Sequence, residues 1–288
     1  LNFNDQILLK LKYPDYDANF RLFPSSNVPM NIYLDISARW NLLIPSLYLL
    51  TNMRQIHPMK IKTVLITGAN RGLGLEISRQ LGKREFRVFL TARNPEAGEK
   101  AARQLHEEGS DILFIQLDVT DDKIIKLAVQ AVSDQTGHLD VLVNNAGISI
   151  DKGNIINMDP DILQQTIQTN VYGPIRIIQE FMLLLAGGAR IINLSSGLGS
   201  LTSMSAYSPA YSISKTMLNA VTRQFAAALA ERNIAVNSVS PGWVRTSMGG
   251  RNAPRSVEKG AETVVWLATD APGSLTGKFL QDKQEIDW

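Results

Sequence analysis

Thr63-Val64-Leu65-Ile66-Thr67-Gly68-Ala69-Asn70-Arg71-Gly72-Leu73-Gly74, running on into Leu75-Glu76-Ile77-Ser78, is the stretch that decides the fold. Its first five residues form an apolar run with a strand's length. Three glycines then follow at Gly-x-x-x-Gly-x-Gly spacing, and a helical pattern begins at once. Glycines placed there permit a tight turn and let the backbone approach a diphosphate seated on the amides of a helix N-terminus. A bare strand-to-helix turn is the competing reading of the glycines. Their place after a strand, before a helix and at the head of a strand–helix–strand unit favours the phosphate cradle over Gly68, Asn70, Arg71, Gly72, Leu73 and Gly74.

Downstream the same alternation repeats. Strand candidates lie at Thr63–Thr67, Arg87–Thr91, Ile112–Leu117, Val141–Val143, Arg190–Leu194 and Ala235–Ser240, with a weaker one at Lys278–Leu280. Most are continuous apolar runs, as strands covered on both faces require. Amphipathic stretches at Leu75–Lys83, Ala97–Glu108, Ile124–Gln135, Ile162–Leu185 and Tyr211–Glu231 separate them. The spacing predicts an α/β fold: a single doubly wound Rossmann-type domain, mostly a seven-stranded parallel sheet with helices on both faces.

Residues 1–58 carry no sustained period and are interrupted by Pro14, Pro24, Pro29, Pro45 and Pro58. The pattern changes at Met59, so the expected division is an irregular N-terminal extension, disordered or not native, over 1–58 and the domain over 59–288. Met59 itself is a candidate natural start. A short partner-binding leader is the functional alternative for the extension.

Composition removes whole classes of function. The 288 residues hold 29 Lys and Arg against 27 Asp and Glu, a net charge of +2. No basic footprint for nucleic acid is visible. With no cysteine in the chain, disulfides, thiolate metal sites and cysteine nucleophiles are excluded. His57, His106 and His138 show no metal-ligand spacing, so no metal is expected. No apolar run has the roughly 18–20 residues of a membrane span. A cytoplasmic protein with no membrane partner is the expectation.

Cofactor choice turns on the end of the second strand. An acid there, about 20 positions past the glycines, would pair with a ribose 2′-hydroxyl. The sequence instead reads Leu90-Thr91-Ala92-Arg93-Asn94, with no acid before Glu96. Arg93, with Arg71, can hold a 2′-phosphate through charge-assisted hydrogen bonds, which favours NADP(H). Two solvated surface arginines are the alternative. Asp118, followed by Val119 at the end of the third strand, is placed to accept from an adenine amino group, or to cap the next helix. Asn144-Asn145-Ala146-Gly147 follows the fourth strand, where small residues let a flat ring pass close to the backbone; an ordinary turn would look the same.

Tyr211 and Lys215 stand four residues apart, on one face of a helix. A phenol of pKa about 10 is a poor acid–base group at neutral pH, and a nearby cation stabilises its ionised form. Ser195-Ser196-Gly197 ends the fifth strand, and a hydroxyl there can bond a substrate oxygen. Asn170 lies inside a long helical pattern, where a polar side chain either faces solvent or holds an internal partner.

Taken in this order, these motifs resemble the classical short-chain dehydrogenase/reductase family from Lys60 to Trp288, most nearly its NADP-dependent carbonyl reductases. The carbonyl-reductase likeness rests on Pro241-Gly242-Trp243-Val244-Arg245-Thr246, Gly260–Ala268, Gly277-Lys278-Phe279 and Trp288. The resemblance implies Tyr211 as general acid–base, Ser196 rather than Ser195 as orienter of the carbonyl, and Lys215 as the group that binds the nicotinamide ribose and lowers the tyrosine pKa. Asn170 would hold a water in a proton relay. Cofactor contacts would come from Gly68, Asn70, Arg71, Gly72, Leu73, Gly74, Arg93, Asp118, Val119, Asn145, Ala146, Gly147, Tyr211, Lys215, Pro241, Gly242, Val244 and Thr246. Thr246 has capping of the next helix as its alternative. Trp243 and Met248 line either an apolar substrate pocket or the core.

The implied reaction is hydride transfer between NADP(H) and a small-molecule carbonyl or secondary alcohol. An NAD-dependent alcohol dehydrogenase and a non-catalytic NADP(H)-sensing protein are the alternatives. The resemblance further suggests a homodimer or homotetramer built on the helices near Ile162–Leu185 and Tyr211–Glu231. Two departures stand out: the long insertion between serine and tyrosine of animal carbonyl reductases is missing, and the loop after Thr246 is short.

Overall fold

In the computed structural model, which describes residues 61–151 and 153–288, the apolar runs line up as one sheet. Its strands are β1 (Thr63–Ile66), β2 (Arg87–Ala92), β3 (Ile112–Gln116), β4 (Leu139–Asn144), β5 (Leu185–Leu194), β6 (Ala235–Val239), β7 (Phe279–Gln281) and β8 (Gln284–Glu285). They lie in the order β3-β2-β1-β4-β5-β6-β7-β8. The first seven are parallel throughout, and β8 turns back antiparallel on β7. The expected seven-stranded parallel sheet thus gains a two-residue edge strand. The expectations about residues 1–58 lie outside the described residues.

Between the strands run α1 (Gly72–Gly82), α2 (Pro95–Glu107), α3 (Asp122–Gln135), α4 (Pro160–Ile167), α5 (Gly173–Glu180), α6 (Pro209–Ala228) and α7 (Val257–Thr269). Both faces of the sheet are covered, which explains the unbroken apolar strands. Val64 and Ile66 of β1 pack with Ile77 and Leu81 of α1, Leu105 of α2 and Val264 of α7. Leu65, between them, points the other way, toward Ile125 of α3 and Ile177 of α5. All of these are completely or almost completely buried, and each such side chain contributes about 1.5–3 kcal/mol.

Two expected elements differ. The single helix expected over Ile162–Leu185 is three pieces: α4, a π-turn at Gln168–Tyr172, and α5. Pro174 has no N–H to donate to the carbonyl of Asn170, so a regular ladder cannot pass that point. The Gly173 N–H reaches back to the Gln168 carbonyl instead. Leu185 belongs to β5, whose first residues were hidden by Gly187-Gly188. Helix α7 was not anticipated; it starts at a Ser256 cap that accepts from the Lys259 N–H at 3.3 Å.

Successive connections leave β1 in one direction and β4 in the other, so the chain reverses between these two neighbours. A crevice at the carboxyl ends of strands at such a reversal is where open α/β sheets bind ligands. Among the described residues, no helix is long and apolar enough to cross a membrane, and no His, Asp and Glu group is arranged to hold a metal.

Candidate active site

The β1–α1 turn is shaped by missing side chains. Gly68 (φ 63°) and Gly72 (φ 57°) occupy the left-handed region that glycine adopts without strain. Gly74 is required for a different reason: a Cβ there would lie 2.5 Å from Asn145 Nδ2 and 2.8 Å from the Gly68 carbonyl. Arg71 precedes α1 with an extended backbone and no side-chain cap, and the first turn of the helix holds no acid. Uncapped amides at the positive end of a helix dipole suit an anion.

Asn145 braces this turn. Its Nδ2 donates to the carbonyls of Thr67 (2.8 Å) and Gly68 (2.9 Å). The amides of Asn145 and Ala146 both donate to Thr67 Oγ1, at 3.0 and 2.9 Å. The Asn145 side chain is therefore scaffold, and Ala146 lies against Gly68. Thr67 is a functional residue the sequence reading missed; its position immediately before the first glycine is the only local signal. Gly147 lies beside Asn170 Oδ1 and Lys215 Nζ, which links the two ends of the cleft.

Arg93 is exposed at the end of β2 and borders a cavity of about 490 Å³, together with Thr120, Ile148, Gln164 and Gln168. Asp118 Oδ1 accepts from the amide (2.9 Å) and hydroxyl (2.7 Å) of Thr120. The cap of α3 is Asp121, not Asp118. Val119 is buried in the core.

The segment after β6 comes back to the glycine turn. Thr246 Cγ2 sits beside Gly72, and its hydroxyl accepts from the Gly249 amide at 3.1 Å, capping a turn rather than a helix. Gly242 has φ 73°, and a Cβ there would meet the Arg255 side chain. Pro241 precedes it, half-buried. Val244 packs its side chain on Gly260 of α7 and is buried. Trp243 and Met248 are 57% and 52% exposed, so neither belongs to the core.

At the other end of the cleft, α6 presents Tyr211 and Lys215 on one face, with Nζ 5.5 Å from the centre of the phenol ring. Lys215 is buried and donates to the Leu194 carbonyl at 2.7 Å. Ser196 Oγ accepts from the Leu198 amide at 3.2 Å, and the serine is close enough to the Tyr211 phenol to favour its ionised form. Ser195 turns inward, 3.4 Å from the Lys215 carbonyl. Asn170 is wholly buried: its Nδ2 donates to the Ile148 carbonyl (2.8 Å) and to Ser214 Oγ (3.0 Å), while Oδ1 accepts from the Ile148 amide (2.8 Å). Its side chain is thus committed to protein partners, and its backbone carbonyl takes no bond from Pro174, which has no N–H.

The electrostatics correct one expectation. The lysine was expected to hold the phenol acidic. Burial instead pushes Tyr211 up to about 12, against the lowering effect of Ser196 and with a further push from the Asp151 carboxylate. Burial also pushes Lys215 down to about 8. The reason is geometric: Nζ lies over the ring and is directed at Leu194, while a phenolate would be a new charge in a poorly solvated corner.

Asp151 is the second residue the sequence did not reveal. It follows β4, and its Oδ2 accepts from the amides of Ala210 (3.0 Å) and Tyr211 (3.4 Å), capping the helix that carries the tyrosine. Under this corner a buried polar chain ties the strands to α6: Asn144 Nδ2 to Asn193 Oδ1 (2.9 Å), Asn193 Nδ2 to Thr222 Oγ1 (2.9 Å), and Thr222 to Ser238 (2.7 Å).

Comparison with known proteins identifies the family. A family profile described as short chain dehydrogenase matches residues 62–256. The chain is 33% identical to carbonyl reductase (NADPH) 1 of Sus scrofa, over 79% of this chain and 94% of that relative. Among solved structures, the carbonyl reductase Sniffer of D. melanogaster is similar with a TM-score of 0.74 and 31% identity, covering 79% of this chain and all (100%) of that one. The NADPH-bound carbonyl reductase from chicken fatty liver is similar with a TM-score of 0.74 and 28% identity, over 80% of this chain and 100% of its own.

Proposed function

Since the chain belongs to the short-chain dehydrogenase/reductase family of oxidoreductases, we propose that it is an NADPH-dependent carbonyl reductase with Tyr211 as its general acid–base. The observation that carries this reading is the phenol of Tyr211 on one helix face with Lys215, whose Nζ lies 5.5 Å from the ring centre and beside Gly147, in the segment that also packs Ala146 against Gly68 of the glycine turn.

The residues fit the cofactor. Uncapped α1 amides and the cradle at Gly68, Asn70, Arg71, Gly72, Leu73 and Gly74 would hold a diphosphate. The exposed Arg93 beside the 490 Å³ cavity would take a 2′-phosphate, with Arg71 at the turn. Asp118 and Val119 would meet the adenine, and Gly147, Lys215, Pro241, Gly242, Val244 and Thr246 the nicotinamide end, with Asn145 and Ala146 supporting through the turn they brace. When bound, NADPH supplies the hydride.

The chain's own residues manage the oxygen. Ser196 donates to the carbonyl and fixes its direction. Tyr211 delivers a proton to the same oxygen as charge builds there, a role in which a phenol kept neutral by burial is in the correct form. Lys215, cationic below about pH 8, then supports the phenolate left behind. Asn170 would contribute through its backbone carbonyl at the π-turn, holding a water that returns the proton. A homodimer or homotetramer built on α4, α5 and α6, and a cytoplasmic location, complete the proposal.

The test is a panel of ketones, aldehydes and quinones assayed with NADPH and with NADH separately. Carbonyl-dependent oxidation of NADPH, faster than that of NADH, is the expected result. No turnover of any substrate with either nucleotide contradicts the reading.

A further inference from the structure

Residues 197–208 join Ser196 to Tyr211's helix, and their hold on the rest of the molecule is uneven. At the serine end, Thr216 Oγ1 and Asn219 Nδ2 of α6 both donate to the Gly199 carbonyl, at 3.0 and 3.2 Å. At the tyrosine end, the Ser212 amide and hydroxyl donate to the carbonyls of Ser208 (2.8 Å) and Tyr207 (3.1 Å). Between these anchors the chain is exposed and carries Leu201, Met204 and Tyr207 at 66%, 40% and 70% exposure. One acceptor gathers its middle. The backbone oxygen of Trp288 takes the amides of Leu201 (2.9 Å) and Thr202 (3.3 Å) and the Thr202 hydroxyl (3.3 Å).

Trp288 can serve as an anchor because it is itself held by rigid parts. Its ring stacks on Phe279 of β7, with centroids 5.6 Å apart and planes 26° from parallel. Arg223 of α6 covers it at 5.4 Å, a cation–aromatic contact. The Ile286 amide donates to the Phe279 carbonyl at 2.8 Å and keeps the preceding residues on β7. Phe279 is fully buried, and Arg223 lies on the helix that bears Tyr211 and Lys215.

From this arrangement we infer that Trp288 is a positioning residue: it pins the segment that joins Ser196 to Tyr211, the two residues proposed to bond the substrate oxygen, to the sheet edge and the catalytic helix. The inference rests on the proposed reductase function for the meaning of that site, but the clamp itself does not. Loss of the ring frees the Trp288 backbone, and with it the Leu201 and Thr202 amides. The segment that joins the two substrate-bonding residues then loosens, while the glycine turn is untouched.

The test compares Trp288→Ala, Trp288→Phe and Arg223→Ala in the full chain. For the best carbonyl of the panel, Trp288→Ala raises KM about tenfold with kcat and NADPH Kd within about twofold, the pattern of lost uniform binding. Trp288→Phe restores KM to within about threefold because the stack survives, and Arg223→Ala gives a smaller rise than Trp288→Ala. An unchanged KM, an equal weakening of NADPH, or a Trp288→Phe protein as impaired as Trp288→Ala overturns the inference. A second arm needs no turnover: chymotrypsin cleavage after Leu201, Met204 or Tyr207, which reads local opening of that segment. Faster cleavage in Trp288→Ala than in the parent or Trp288→Phe supports the clamp, and equal rates overturn it. A parent protein that reduces nothing defeats the proposed function, and the cleavage arm still decides the role of Trp288. Should Trp288→Ala not fold, the Arg223→Ala comparison carries both arms.

Discussion

The two rims of the cleft are made of opposite materials. On the β1–α1 side the working surface is backbone: two glycines at positive φ, a third with no room for a Cβ, and a helix end left uncapped. On the β5–α6 side it is side chains, several of them polar and buried: Lys215, Asn170, Ser195, Asn193 and Thr222. The first rim is therefore sensitive to added volume, whereas the second is sensitive to lost charge or a lost hydrogen bond. A phosphate needs many weak donors in a fixed curve, which backbone amides supply. Proton transfer needs one group with a tuned environment, which only a side chain provides.

Substitutions on the two rims should fail differently. Apart from Tyr211 itself, the largest loss is expected from Lys215→Met, which keeps volume and removes charge. Steady-state kinetics should show kcat/KM lower by about 10²–10⁴, with weaker NADPH binding. In the parent protein the cation is present below about pH 8 and lost as pH rises through it, so NADPH affinity should decline across that range. The stability sign is opposite. With a folded value near 8 against 10.5 unfolded, the unfolded chain binds more protons between these values. The lysine's contribution to stability therefore rises with pH over that window, which urea midpoints measured across it would register. Tyr211, raised from 10.0 to about 12, binds its proton more tightly when folded, so its own contribution falls with pH between those values.

On the backbone rim, Gly74→Ala should displace Asn145 and cost about 1–3 kcal/mol of stability, as overpacking does, along with NADPH affinity. Asn145→Ala should relieve only the side-chain part of that clash, because the new methyl would still lie 2.8 Å from the Gly68 carbonyl and 2.9 Å from Ala69 Cα. Denaturation of the double variant should show less than the sum of the two losses, the mark of residues in contact. Arg93→Ala should weaken NADPH about tenfold, or about 1.4 kcal/mol, and leave NADH unchanged; equal losses in two calorimetric titrations would remove the 2′-phosphate argument. The smallest effect expected is that of Asp151→Ala, about 1 kcal/mol through the lost cap of α6, read as a melting shift of a few degrees.

The same contrast decides what could be read without coordinates. The seven parallel strands were legible because each is covered on both sides and hence unbroken in apolar character, as Val64, Leu65 and Ile66 illustrate. The glycine turn was legible because its chemistry is the absence of side chains at a fixed spacing. Helix α7 was not, because Gly260 interrupts its first turns and Thr263-Val264-Val265 is a β-branched run; the glycine is there so that Val244 can pack on the helix. The apolar period over 162–185 runs straight through Pro174, so the break that this residue imposes is invisible to periodicity alone. In the site, the spacing of Tyr211 and Lys215 puts them on one face, but where Nζ points depends on Leu194, a residue of another element. That is why the direction of the phenol's shift was misjudged. Asp151 left no trace because its partners, Ala210 and Tyr211, are brought to it only by the fold.

The most direct test of the account is Tyr211→Phe, examined by NADPH titration and by turnover of the best carbonyl on the same preparation. Phenylalanine keeps the ring beside Lys215 and removes only the hydroxyl. The account predicts NADPH affinity within about twofold of the parent and turnover lower by about 10³ or more. Carbonyl reduction near the parent rate with NADPH still bound would contradict it, because the transferred proton would then have to come from another group.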